Sequence, residues 1–123
     1  MDATKGSSKE TERSAVEAGA TVTRITVAGA RLDTAAGRAL LRDTEAAFRA
    51  GARAVVIDLG PVGYMDSVGV SALAAVQRRA PAGARVVLAA MSPYVQTVAR
   101  VTHLAAVFDV YATVEAATRA LGG

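Results

Sequence analysis

Val55-Val56-Ile57-Asp58-Leu59-Gly60-Pro61-Val62-Gly63-Tyr64-Met65-Asp66-Ser67-Val68-Gly69 decides the reading of this chain. From Arg53 to Leu59 the residues are almost continuously apolar, the pattern of a central strand covered on both faces. Gly60 and Pro61 break it. Asp66-Ser67 then opens a helix to about Arg79, with Val70, Leu73 and Val76 at helical spacing. A serine at that point is a good N-cap. Its hydroxyl lies at the positive end of a helix dipole, on a loop that a second protein can reach. A phosphorylation switch fits this arrangement better than an active site.

Working outward, Thr21 to Val27 is rich in β-branched residues and predicts one or two strands before Ala28-Gly29-Ala30. Asp33 or Thr34 caps a helix to about Ala50, with Leu40, Leu41, Ala47 and Phe48 on its apolar face and Gly51 ending it. Arg85 to Ala90 is a second short buried strand. Ser92-Pro93 combines a cap with proline in the first turn and starts a helix to about Thr102. Val107 to Tyr111 supplies the last strand, and Thr113 caps a helix through Leu121. Strands alternating with helices imply crossover units, so the expected fold is α/β: a single mixed, mostly parallel sheet of four to five strands with about four α-helices. Residues 1–18 are polar and poor in bulky side chains and are expected to be a disordered tail. Residues 19–123 are expected to be the single folded domain.

Composition narrows the function. The 123 residues suffice for one cored domain. Cysteine is absent and His103 is the sole histidine, which removes disulfide frameworks and thiolate or histidine-rich metal sites and fits a cytoplasmic location. No apolar run approaches the roughly 20 residues of a membrane span, and no signal-peptide core is visible. The net charge is +3, but the basic residues beyond Ala20 are dispersed arginines, with only Arg78 and Arg79 adjacent. A nucleic-acid surface calls for a denser stripe with interleaved aromatics. Neither direct nucleic-acid binding nor membrane binding is expected.

The order of elements and the residues they carry resemble the STAS domain of bacterial anti-sigma factor antagonists, over roughly Thr21 to Leu121. The strongest piece is Val55-Val56-Ile57-Asp58-Leu59 followed by Tyr64-Met65-Asp66-Ser67-Val68-Gly69, which looks like the family's strand and Asp-Ser-x-Gly phosphorylation loop. Gly29-Ala30-Arg31-Leu32-Asp33 is similar to its Gly-x-Leu-Asp element, and Met91-Ser92-Pro93 through Leu104 to the segment that opens its third helix. The resemblance implies a non-enzyme that needs no cofactor of its own. A serine-kinase anti-sigma factor would use ATP to phosphorylate Ser67, and a phosphatase acting on phospho-Ser67 would reset it. The unphosphorylated form would bind the anti-sigma factor and free a sigma factor. The implied partner surface comprises Asp33, Tyr64, Met65, Asp66, Ser67, Val68 and Gly69. Many family members have Ser where Val68 stands, and Gly where His103 stands, at an expected left-handed cap.

Other readings compete. Asp58 suits a structural carboxylate bonded to backbone N–H groups of the next loop. Of Tyr64 and Met65, either can be an exposed anchor while the other plugs the core. A Ser67-His103-Asp58 triad can be written down, but the string around Ser67 is not Gly-x-Ser-x-Gly. Gly60, Gly63 and Gly69 match no phosphate-binding fingerprint. The alternative function is a STAS scaffold subunit of a signalling or lipid-transport complex that holds its partner constitutively.

Overall fold

Five strands lie side by side in chain order: β1 (Ala15–Ala18), β2 (Val22–Thr26), β3 (Ala54–Asp58), β4 (Arg85–Ala89) and β5 (Asp109–Tyr111). The structure, a computed structural model, describes residues 15–19 and 21–122. β1 runs antiparallel to β2, and every other pairing is parallel. Among the described residues four α-helices connect or follow the strands: α1 (Thr34–Arg49), α2 (Ser67–Arg79), α3 (Pro93–Val101) and α4 (Val114–Ala120). A 3₁₀ turn at Leu104–Ala106 precedes β5 and shortens it from the expected start at Val107. The mixed, mostly parallel α/β sheet is as the alternating pattern implies.

Within the expected tail, the described residues Ala15 to Ala18 form a strand. Ala15 to Ala18 pair with Thr26 to Thr23, so the folded unit begins earlier than residue 19. All four side chains of β1 are exposed. The strand is held by its backbone ladder, and no alternating apolar pattern marks it. The remainder of the expected tail, residues 1–14, lies outside the described residues.

Side-chain alternation divides the core between the two faces of the sheet. On one face Ile25, Val55, Ile57, Val86 and Leu88 meet Leu40 of α1, Leu73 and Val76 of α2, and Val95 and Ala99 of α3. On the other face Val22, Ala54, Val56, Val87 and Ala89 are covered by Val114 and Ala117 of α4. Every residue of β3 is buried, which explains its uninterrupted apolar run. Helices α1 and α2 approach closely at Gly37, where a Cβ would stand 2.9 Å from that of Ala72.

The last residue of β3 is charged. Asp58 is 6% exposed, and its carboxylate accepts from the Gly60 N–H (2.8 Å), Arg24 Nη2 (2.8 Å) and the Thr26 hydroxyl (3.3 Å). The bond to Asp58 raises Arg24 above the ordinary guanidinium range. The expected structural role of Asp58 is thus visible in detail.

His103 has φ 63° and ψ 14°, the left-handed conformation expected at that position. Its side chain is exposed and makes no capping bond. Left-handed backbone costs an L-residue about 1–2 kcal/mol, partly offset because glycine loses about 0.5–1 kcal/mol more entropy on folding. His103→Gly should therefore stabilise the domain by up to about 1 kcal/mol and raise its melting temperature by a few degrees. An unchanged or lower midpoint in thermal denaturation would show that the imidazole contributes what glycine cannot.

Candidate functional site

The site lies at the carboxyl end of the parallel strands, where α1, α2 and α3 all begin. Beyond β3 the chain turns at Leu59 to Val62, closed by the Val62 N–H donating to the Leu59 carbonyl (3.0 Å). It then runs beside the segment that leads into α1. The N–H groups of Gly63 and Tyr64 donate to the Ala30 carbonyl (2.8 and 3.1 Å), and that of Leu32 donates to the Tyr64 carbonyl (3.4 Å). The two motif segments of the sequence are thereby laced together. Leu59, Val62 and Met65 sit beneath the loop with 0–1% exposure and fasten it to the core.

Each of the three helices has a side-chain cap. Asp33 accepts from the Ala36 N–H (2.9 Å), Asp66 from the Val68 N–H (3.0 Å) and Ser92 from the Val95 N–H (3.3 Å). Asp66, not Ser67, is therefore the N-cap of α2, because a carboxylate serves both the N–H groups and the positive end of the dipole. Ser67 is the first helical residue; its side chain is exposed and takes no part in the cap. Val68 is 43% exposed and Tyr64 40%, whereas Met65 is 1% exposed. Met65, expected among the partner-binding residues, is the core plug beneath Tyr64, and Gly69 is buried as well. Both shape the surface from below. Asp33, Tyr64, Asp66, Ser67 and Val68 are exposed at this end of the molecule.

The hydrolase triad does not assemble. Asp58 is committed to Arg24, Thr26 and Gly60. His103 follows the far end of α3, nine residues and about 13 Å of helix from the end where Ser67 stands. Among the described residues no group of three or more His, Asp or Glu is placed to hold a metal ion, and no helix is long and apolar enough to cross a membrane.

Residues 14–117 match the STAS domain family. The chain belongs to that family. Similar solved structures include an anti-sigma factor antagonist from Mycobacterium paratuberculosis, 25% identical with a TM-score of 0.78 over 89% of this chain and 93% of that one. An anti-sigma-factor antagonist STAS domain protein from Planctomyces limnophilus is 27% identical, with a TM-score of 0.78 over 90% and 99% of the two chains. The Bacillus cell fate determinant SpoIIAA in its phosphorylated form shares the fold at 22% identity, with a TM-score of 0.67 over 88% and 98%. No curated protein matches the chain.

Two features of this STAS domain's surface escape sequence reading. A shallow groove of about 260 Å³ runs between α1 and α2, bordered by Asp33, Gly37, Leu41, Val68 and Ser71. On the other side of the loop the Tyr64 ring stacks on Tyr94 of α3, with centroids 5.8 Å apart and planes inclined by 14°. The Arg31 guanidinium covers Tyr64 at 4.7 Å from the ring centroid. Arg31, Tyr64 and Tyr94 come from three segments, and no short-range spacing links them.

Gly69 places Ser67. A Cβ on residue 69 would fall 2.5 Å from Met65 Cγ and 3.0 Å from the Leu32 carbonyl oxygen. Gly69→Ala must push the first turn of α2 away from both motif segments. We expect a loss of about 1–3 kcal/mol, the usual cost of overpacking, measured by denaturant unfolding. Amide shifts should spread through residues 30–33 and 63–68 in heteronuclear NMR. A variant of native stability with unmoved amides would show that this contact does not set the loop.

Proposed function

We propose that this chain is an anti-sigma factor antagonist whose affinity for a serine-kinase anti-sigma factor is set by phosphorylation of Ser67. The observation that carries the reading is the position of that serine: first residue of α2, exposed, uninvolved in the cap, on a loop pinned from below by Met65 and from the side by Leu32. A hydroxyl so held needs no local unfolding to enter a kinase site. The likeness to antagonists from two other bacteria supports the reading. The chain itself acts as binder and phosphoacceptor, not as an enzyme; ATP is consumed by the partner, and a phosphatase restores the free serine.

The chemistry of switching follows from the local charges. A phosphate adds about 1.5–2 negative charges and three acceptor oxygens. At the first turn the helix dipole favours an anion. However, Asp66 already holds the Val68 N–H and places a carboxylate one residue away. Within the domain the two effects oppose each other, so the fold tolerates the modification. In a complex the phosphate must lose water against the partner, and the penalty falls on binding.

The test is phosphopeptide mapping of the protein from its own cells, in growth and under stress, beside a Ser67→Ala variant. The expected result is phosphate on Ser67, absent from the variant. The purified kinase should bind the unmodified chain at least about tenfold more tightly than the phosphorylated one, a difference of roughly 1.4 kcal/mol. A Ser67 that stays unmodified in every condition would instead make the domain a constitutive scaffold subunit.

A further inference from the structure

We propose that the partner interface crosses the Ser67 loop and extends onto a platform of Arg31, Tyr64 and Tyr94, and that the partner segment seated there carries a carboxylate for Arg31 beside an apolar or aromatic side chain for Tyr94. This rests on the partner-binding reading above. It assigns to that reading a second contact region, which reaches α3 through Tyr94.

The placement of aromatics is the first observation. The chain has three tyrosines and two phenylalanines. Phe48, Phe108 and Tyr111 pack against the two cores. Tyr64 and Tyr94 instead stack in solvent with 40% and 49% exposure. Offset stacking and the overlying guanidinium fix three side chains that would otherwise move freely. A partner therefore meets a pre-ordered surface and pays less entropy for covering it. Aromatic rings and arginine are the groups that dominate interface energetics when buried on association.

Charge identifies the occupant. The exposed carboxylates here, Asp33 and Asp66, are engaged at helix N-termini, where the dipoles partly neutralise them. Arg31 and Arg38 take part in none of the ion pairs among the described residues. The N-terminus of α3, capped by the neutral Ser92, adds positive potential at the same end of the sheet. The face thus presents uncompensated positive charge. The Arg31 guanidinium over the Tyr64 ring spends no N–H group on that contact and takes part in none of the ion pairs among the described residues, so its fork is available to a bidentate carboxylate. A phosphate on Ser67, three residues from Tyr64, would reverse the charge that the acidic segment meets. The platform and the switch then act on the same encounter.

The experiment places a photoreactive benzoylphenylalanine at Val68 in one strain and at Tyr94 in another, and identifies the adducts by mass spectrometry. The same kinase should be captured from both positions, with the Tyr94 adduct mapping beside an Asp or Glu. The purified kinase should then bind Arg31→Glu and Arg31→Gln about 30-fold or more weakly, and Tyr94→Ala about tenfold more weakly, with unchanged melting temperatures. Arg119→Glu, an exposed site on α4, should bind normally. Reversing the mapped acid to Arg should restore Arg31→Glu. Capture from Val68 but not Tyr94, or Arg31 variants of native affinity, would overturn the platform and leave the antagonist reading standing. Capture from neither position would overturn both.

Discussion

A single buried carboxylate, Asp58, fixes where everything functional in this domain begins. It ends the one strand among the described residues that is buried along its whole length, and it joins three groups: Arg24 and Thr26 of β2 and the N–H of Gly60 in the turn that follows β3. A charge in that position is tolerable only with its lone pairs occupied. The loop must therefore leave β3 along the path that brings Gly60 to Asp58. From there Leu59, Val62 and Met65 pull the loop inward, and Gly63 and Tyr64 hook it to Ala30. The energetic worth of such a pair is modest; its contribution is direction.

The site illustrates a division of labour between neighbouring residues. In Asp66-Ser67 the carboxylate does the structural work of capping, and the hydroxyl next to it is left without a structural duty. Had the serine been the cap, modifying it would have removed a hydrogen bond from α2 and linked the chemical signal to the stability of the fold. Separation of the two tasks lets charge change at the surface while the helix stays closed. Gly69 completes the arrangement from below, since only a residue without a side chain lets the first turn sit against Met65 and Leu32.

How much of this was legible depended on whether the responsible interaction was local in sequence. The central strand, the helices with their caps at Asp33, Ser92 and Thr113, and the left-handed backbone at His103 are set by near neighbours, and each stands close to where the sequence places it. β1 was hidden because a backbone ladder at a sheet edge needs no apolar side chains. Sequence does not tell anchor from plug at Tyr64 and Met65 because strand-like alternation lapses in the loop, so orientation there comes from packing. Asp and Ser are nearly equal cap formers, so the pair Asp66-Ser67 does not say which of the two caps α2, and only geometry distinguishes them. The Arg31–Tyr64–Tyr94 stack joins residues about thirty positions apart and had no local signal at all.

The two faces of the sheet are unequally protected. Among the described residues three helices cover one, while the other is sheltered by the seven residues of α4, which rest on Val114 and Ala117 and follow a strand of only three residues. Native proteins open in parts, and the parts with least buried apolar contact open first. β5 and α4 therefore open more readily than β3, whose residues are all buried. That weak unit adjoins β4, at a distance from the loop of Ser67. Fraying of β5 and α4 thus leaves in place the best-buried strand of the sheet, which carries the loop of Ser67.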